Sequence, residues 1–225
     1  QSAAGKTIMT TEPKFIPNEA VEISINDSAA FKMRMIDCVG YIVDGAQGYI
    51  EDEMPRMVMS PWSDEPIPFA EAAEIGTRKV ISEHSTVGIV VTTDGSITDI
   101  NREDYIDAES RVITELQELN KPFVVILNSV NPYDSHTLVC KKEIEDKFGV
   151  TVIPLNCMNL TEQDINTVMQ NILYEFPVKE VGFNIPRWIL SLDKTNPLKS
   201  SISETVFSNS DSMFKISDVM KLPDS

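Results

Sequence analysis

Basic residues are scarce in this chain of 225 residues, and their scarcity excludes a class of partner. Lys and Arg together number 19, against 35 Asp and Glu, which gives a net charge of −16 at neutral pH. Duplex nucleic acid and anionic lipid surfaces are both bound through a positively charged footprint, which this composition does not supply. We therefore expect no nucleic-acid partner.

Long hydrophobic runs and cysteine frameworks are also missing. Hydrophobic residues make up 42% of the chain, but they never form the run of about 18 that would span a bilayer. No basic stretch followed by an apolar one predicts a secretory signal peptide. The three cysteines lack the spacing of a zinc site and are too few for a disulfide framework. We expect a globular cytoplasmic protein without a membrane span.

The middle of the chain alternates apolar strand patterns with amphipathic helix patterns. Residues 87–91, 123–127 and 151–155 predict short strands, the first of them covered on both faces. Pro154 indicates that the third is an edge strand or is near its end. Helical periodicity is seen in three segments, at 108–119, 140–148 and 165–176. Such alternation predicts a parallel sheet with right-handed crossovers and helices on both faces.

The flanking segments extend this α/β prediction. Residues 21–25 and 31–36 alternate in polarity on either side of a turn-rich segment, which predicts an antiparallel hairpin at one edge of a mixed, mostly parallel sheet. Residues 42–68, interrupted by Gly and Pro, predict an irregular loop, and 69–83 a helix. The chain after Thr195 is rich in Ser and Asn, as in a linker. We therefore expect one domain over 1–192, followed at 193–225 by a linker or the start of another domain.

The strongest chemical pattern is D-x-x-G at Asp37 to Gly40, directly after the second hairpin strand. In P-loop nucleotide hydrolases the Asp of such a motif reaches Mg²⁺ and the Gly N–H points at the γ-phosphate. Thr10 and Thr11 precede the hairpin, where such proteins carry a switch threonine that senses Mg²⁺ and the γ-phosphate. Many related enzymes place a water-orienting Gln where this chain has Tyr41, which predicts slow hydrolysis or help from another group.

A second pattern follows the strand at 123–127, where a guanine-reading N-K-x-D motif would lie. Asn128 matches it, but Ser129 replaces the Lys and Asn131 replaces the Asp. A carboxylate accepts hydrogen bonds from both guanine N–H groups, and a carboxamide accepts only part of that pattern. The substitution favours adenine over guanine. The segment Gly5-Lys6-Thr7 resembles the end of a Walker A loop but follows no apolar strand, so we do not assign it as the phosphate loop.

The chain resembles the stage IV sporulation protein A family, the morphogenetic ATPases that polymerise into the basal layer of the spore coat. The resemblance covers most of residues 1–190. It rests on QSAAGKTIMTTEPKF at the start, DCVGY at 37–41, EPIPFAEAAEIGTRKVISEHS at 65–85 and YEFPV at 174–178.

The resemblance implies an ATPase domain shaped like that of translation-factor GTPases, using ATP and Mg²⁺. It implies that Asp37 is the Walker B residue and that Thr10 and Thr11 are the sensor threonines, all three near the metal. Gly40, Asn128 and Asn131 would contact the nucleotide. The family's phosphate loop lies upstream of QSAAGKT, so we expect this chain to be a fragment truncated at its N-terminus, with weak or absent ATP binding and no activity.

The resemblance also implies partners and a location. These are other copies of the same protein, spore coat proteins, and a small amphipathic membrane-bound peptide, all at the forespore surface in the mother-cell cytoplasm. Two alternatives from other classes stay open. The chain could be a coat scaffold whose nucleotide site has degenerated, or a ribosome-associated type of GTPase. ATP turnover by the intact protein distinguishes the scaffold, and competition between GTP and ATP distinguishes the GTPase.

Overall fold

The computed structural model describes residues 15–26, 29–46, 48–51 and 53–219. The chain divides into two compact units, Gln1–Met169 and Gln170–Ser225. The strands are β1 (Phe15–Asn26), β2 (Ala29–Ile36), β3 (Ile50–Glu51), β4 (Met54–Pro55), β5 (Met57–Ser60), β6 (Ser63–Pro68), β7 (Gly88–Thr93), β8 (Phe123–Asn128) and β9 (Val152–Leu155). The helices are α1 (Phe69–Lys79), α2 (Arg102–Glu118), α3 (Ser135–Phe148), α4 (Glu162–Tyr174), α5 (Arg187–Leu190), α6 (Pro197–Ser210) and α7 (Ile216–Val219).

The main sheet of the first unit is parallel and has the order β7-β8-β9. Its register places Thr93 opposite Asn128, and Asn128 opposite Leu155, so the three carboxyl ends share one rim. The three predicted strands are therefore confirmed, and β9, which contains Pro154, lies at an edge as expected. The parallel order follows from the helices α2 and α3, which provide the crossovers.

The core lies where α2 and α3 pack on one face of this sheet. Ile113 and Leu116 of α2 and Cys140 and Ile144 of α3 join Val125, Leu127 and their neighbours in one buried cluster. Val124, on the opposite face of β8, is also fully buried. The apolar run of β8 reflects this burial on both faces.

Strand β7 is less covered than its sequence predicts. Val90 is buried, but Ile89 and Val91 on the alternate face are 38% and 60% exposed. The prediction that this strand is covered on both faces is wrong for the described structure, because these two side chains face an open groove. An apolar run indicates a strand but does not by itself show that both faces are packed.

The predicted antiparallel hairpin is present as β1 and β2, with Phe15 opposite Ile36 and Ile23 opposite Phe31. Among the described residues it forms a sheet of its own, so the prediction that it adds an antiparallel strand to the main sheet is not met. The reason is geometric, since a strand joins a sheet only through backbone hydrogen bonds. The groove that Ile36 and Val91 both line lies beside β7, whose only partner in the described part is β8.

The segment 42–68 is more regular than expected. It contains two short antiparallel hairpins, β3 with β4 and β5 with β6, and Val58 of β5 packs against Ala72 of α1. The prolines that predicted a loop stand at strand ends or on these two-stranded ribbons, where a missing N–H is tolerated. The predicted helix at 69–83 is confirmed as α1, extended by a π-helical turn over Val80–His84.

The helix termini follow local sequence signals. Thr161 and Asp164 exchange hydrogen bonds ahead of α4, with Asp164 N–H to Thr161 Oγ1 at 3.2 Å and Thr161 N–H to Asp164 Oδ2 at 2.9 Å. Gly149 ends α3 in the left-handed region and its N–H donates to the Glu145 carbonyl. Both helix ends are set by residues within four positions of one another.

In the second unit, the Ser-rich segment expected to be a linker contains the 14-residue helix α6. The Asn196 side chain caps it by accepting from the Leu198 N–H at 3.0 Å. Lys215 pairs with Glu175 at 2.5 Å and forms an isolated bridge with Pro177. The boundary predicted at residue 192 stays a prediction.

Candidate functional site

An open groove of about 400 Å³ lies between the loop after β2 and strand β7. Asp37, Gly40 and Tyr41 line one side, and Ile89 and Val91 line the other. Thr92, near the carboxyl end of β7, lines it as well, so the groove reaches towards the rim where parallel α/β sheets bind ligands. The D-x-x-G motif therefore lines the same groove as strand β7.

Asp37 is exposed in this groove, and its carboxylate makes no hydrogen bond or ion pair with any described residue. A carboxylate without a protein partner is suited to binding a hard cation directly or through water. The neighbouring Cys38 thiol is half-buried, and burial raises its pKa. A raised pKa keeps the Cys38 thiol protonated at neutral pH, which makes its sulfur a poor nucleophile.

Gly40 has a φ of +82°, a conformation that L side chains seldom adopt, although a Cβ here would meet no atom within 4 Å. Backbone geometry alone therefore explains the glycine. Its N–H donates to Thr77 Oγ1 on α1 over 3.0 Å. Thr77 is buried, with 1% of its surface exposed.

Tyr41 is held at the surface of α2. Its hydroxyl donates to Glu115, and the Arg111 guanidinium lies 4.2 Å from the centre of its ring. Arg111 is itself fixed by a two-point ion pair with Glu74 of α1, at 2.7 and 2.8 Å. Burial, and then the Glu115 contact, raise the pKa of Tyr41, so its hydroxyl remains a donor at neutral pH.

At the carboxyl rim of the sheet, Asp94 joins the end of β7 to the start of α3. It is 4% exposed and accepts from the Ser96 N–H at 3.0 Å and from Thr137 Oγ1 at 2.7 Å. Burial opposes ionisation of this carboxyl, but hydrogen bonds from Ser96, Ser129 and Thr137 outweigh it and lower its pKa to about 2. Asp94 is a satisfied structural anion rather than a free acid.

The predicted base-reading residues are placed by this network. Asn128 Oδ1 accepts from the Cys157 N–H at 3.0 Å, which joins the loop after β8 to the loop after β9. The Asn131 N–H donates to Ser129 Oγ at 3.0 Å, and its carbonyl oxygen lies 3.1 Å from Thr137 Oγ1. The Asn131 side chain is exposed and has no hydrogen bond with another described residue. The backbone of Asn131 is thus held in place, while its side-chain carboxamide bonds to none of the described residues.

The structure brings some of the predicted site residues together. Asp37 and Gly40 share the groove, and Asn128 and Asn131 share the rim. Thr10 and Thr11, predicted as catalytic and metal-sensing residues, lie outside the described residues. Within the described part, no group of three or more His, Cys, Asp or Glu forms a metal cluster.

Sequence reasoning missed the residues that hold these loops. Asp94-Gly95-Ser96, a turn sequence directly after a strand, was a signal for Asp94. Nothing in the local sequence indicates Thr77 or Glu115, because each meets its partner from a separate helix.

Comparison with known proteins shows the family of the chain. The family model for the ATPase domain of stage IV sporulation protein A matches residues 1–177. Stage IV sporulation protein A of Bacillus subtilis (strain 168) is 52% identical over 206 residues, covering 92% of this chain and 42% of that protein. The Clostridioides difficile (strain 630) protein of the same name is 49% identical over 219 residues, covering 97% and 45%. The Bacillus anthracis protein is 50% identical over 206 residues, with coverage of 92% and 42%.

The chain spans less than half the length of these relatives. No solved structure matches it. In the part of the chain that the structure describes, no helix is both long enough and apolar enough to cross a membrane. On the strength of the domain match and of about 50% identity, the chain belongs to the stage IV sporulation protein A family, with residues 1–177 matching its ATPase domain.

Proposed function

We propose that this chain is part of an ATP hydrolase whose turnover drives polymerisation of the protein into the basal layer of the spore coat. The observation that carries the proposal is the Asp37 carboxylate, which pairs with none of the described residues and lies in a groove that it shares with Gly40 and the edge of β7. The family match supports ATP as the substrate.

The groove also indicates where the phosphate loop would lie. Among the described residues, β7 pairs only with β8, so its other edge is free to accept a parallel strand. Ile89 and Val91 supply an apolar surface for that strand. We propose that a strand of the full-length protein carrying the phosphate loop occupies the groove, with the β- and γ-phosphates near Asp37.

Each residue then has a distinct part in the reaction. Asp37 would hold Mg²⁺, directly or through water, together with Thr10 and Thr11. The ion, when bound, would neutralise charge developing on the phosphates. Gly40 would donate its N–H to the γ-phosphate. Asn128 would keep the rim loops in place, and Asn131 would present its amide to the base.

The wider role in the cell is proposed from the family alone. We propose that the full-length protein assembles with copies of itself, binds coat proteins and docks on a small amphipathic membrane-bound peptide. The place would be the forespore surface, in the mother-cell cytoplasm.

The test is ATP turnover by the full-length protein, measured as phosphate release in wild type, Asp37→Ala and the double variant Thr10→Ala/Thr11→Ala. Asp146→Ala, an exposed acid on α3, is the matched control. We expect both site variants to lose at least 90% of the rate and the control to retain it. Absence of turnover in every version would support a non-catalytic scaffold. Faster turnover of GTP than of ATP would support the GTPase alternative.

A further inference from the structure

Two consecutive residues of the loop after β2 are each tied to a different helix. Gly40 donates its N–H to Thr77 of α1, and Tyr41 donates its hydroxyl to Glu115 of α2. We infer that Thr77 and Glu115 hold this loop in a resting position from which ATP must release it. They are therefore positioning residues that set the apparent affinity for nucleotide. The inference rests on the proposed function, because it concerns the same site.

A backbone amide has one hydrogen, and that of Gly40 is already donated to Thr77 Oγ1 at 3.0 Å. Under the proposed function the same N–H must turn to the γ-phosphate, so the bond to Thr77 has to be exchanged. A phosphate oxygen is a charged and therefore stronger acceptor than a hydroxyl, which makes the exchange favourable once ATP is present. Without ATP, the buried Thr77 hydroxyl keeps the N–H.

Tyr41 restrains the movement of Gly40. Consecutive Cα atoms are about 3.8 Å apart, so Gly40 can move far only if Tyr41 moves as well. The tyrosine ring lies 4.2 Å from the Arg111 guanidinium, and Arg111 Nε is 3.6 Å from Glu115 Oε1. The bidentate pair with Glu74 keeps Arg111 in place. Three contacts therefore oppose displacement of the loop. Gly40 bonds to Thr77 of α1, and Tyr41 contacts both Glu115 and Arg111 of α2.

The size of the effect follows from the population of the released loop. A single net hydrogen bond shifts such an equilibrium by about fivefold. The apparent Kd varies inversely with the fraction of molecules that can bind. Removing either holding contact should therefore lower the apparent Kd for ATP by about fivefold and leave the maximal rate at least as high.

The experiment uses full-length protein with ATP and Mg²⁺, and measures KM and kcat together with amide hydrogen exchange of residues 37–43 without nucleotide. Thr77→Val removes the acceptor and keeps the shape. Tyr41→Phe removes the donor and keeps the ring over Arg111. Thr77→Ser keeps the hydroxyl and should restore the wild-type KM. Thr205→Val, on the surface of α6, is the control for removing a threonine hydroxyl from a helix.

We expect Thr77→Val and Tyr41→Phe each to lower KM by about fivefold without lowering kcat. Both should also speed exchange in residues 37–43, whereas β8 should be unaffected. If wild type hydrolyses ATP but KM is unchanged or raised in both variants, the inference is overturned and the proposed function stands. If wild type does not bind or hydrolyse ATP at all, the proposed function fails and the inference fails with it.

Discussion

Asp94 and Thr137 form a buried hydrogen bond of 2.7 Å between Oδ2 and Oγ1, which joins the end of β7 to the first turn of α3. The contact spans 43 positions in the sequence. Through it, the loop that follows β8 is fixed as well, since Thr137 Oγ1 also lies 3.0 Å from Ser129 Oγ. Buried polar contacts therefore set the positions of the loops at the rim.

Asp94→Asn should destabilise the first unit in a manner that depends on pH. The folded-state pKa of Asp94 is about 2, below the ordinary value of 3.8. The carboxylate therefore contributes stability, of about 2 kcal/mol, that is present above pH 4 and is lost as the pH falls towards 2. Urea unfolding at pH 7 and at pH 3 measures it. The difference in unfolding free energy between wild type and variant should be smaller at pH 3 than at pH 7. An equal difference at both pH values would contradict a lowered pKa for Asp94.

Asn131→Asp should shift nucleotide preference towards GTP in the full-length protein. The new carboxylate can accept from both guanine N–H groups, whereas the carboxamide matches the donor and acceptor edge of adenine. Because the backbone of Asn131 is fixed by Ser129 and Thr137, the substitution should change recognition rather than loop position. We expect the ratio of kcat/KM for GTP over ATP to rise by about tenfold or more.

The control for that experiment is Asn184→Asp, an exposed residue of the second unit. It adds the same negative charge to a residue outside the first unit and should leave the ratio unchanged. A ratio that is the same in wild type and Asn131→Asp would show that Asn131 does not contact the base.

Glu109→Ala should be among the more damaging single substitutions in the chain. Glu109 pairs with Arg102 at 2.7 and 2.8 Å, and both side chains are largely buried. The alanine would leave the guanidinium buried without its anion, which costs about 3–5 kcal/mol. Chemical denaturation of the 225-residue chain measures this loss.

The double variant Arg102→Met/Glu109→Leu tests the reason for that loss. It removes both charges and should recover most of the stability, since a well-packed apolar pair often replaces a buried ion pair at little cost. If the double variant is as unstable as Glu109→Ala, packing of the glutamate stem would account for the loss.

Gly149→Ala should cost about 1 kcal/mol of unfolding free energy. Gly149 has a φ of +63° and a Cβ there would meet no atom within 4 Å, so the cost comes from the backbone alone. Gly182→Ala is the matched control, because its surroundings are equally open and its φ lies outside the left-handed range. Equal melting temperatures for the two variants would be inconsistent with a left-handed requirement at 149.

The sequence predicted those structural features correctly that depend on residues close together in the chain. The strand around Val125 and the cap at Thr161 follow from short-range patterns of polarity and hydrogen bonding. The end of α3 at Gly149 follows from the same kind of signal. The position of Asp37 after a strand was also predictable, because D-x-x-G contains its own turn. These features depend on residues within a few positions of one another, which is why a pattern can show them.

Sequence reasoning was less successful where the outcome depends on what covers a surface. Ile89 and Val91 look like core residues in the sequence but face a groove in the structure. The hairpin of β5 and β6 is anchored by Val58, which packs on α1, a contact that the prolines of that segment give no sign of. Burial is decided by distant elements, so polarity alone does not determine it.

By itself, the sequence of this protein determined the antiparallel hairpin, the strands and helices between residues 69 and 174, the family resemblance and the candidate site residues. Only the tertiary structure decided that Thr77 accepts from Gly40, that Glu115 accepts from Tyr41, and that Asp94 is buried and satisfied. These pairs lie 37, 74 and 43 positions apart, and hydrogen bonds act over about 3 Å. The packing of helices α1, α2 and α3 brings such residues into contact, and no local sequence pattern predicts that packing.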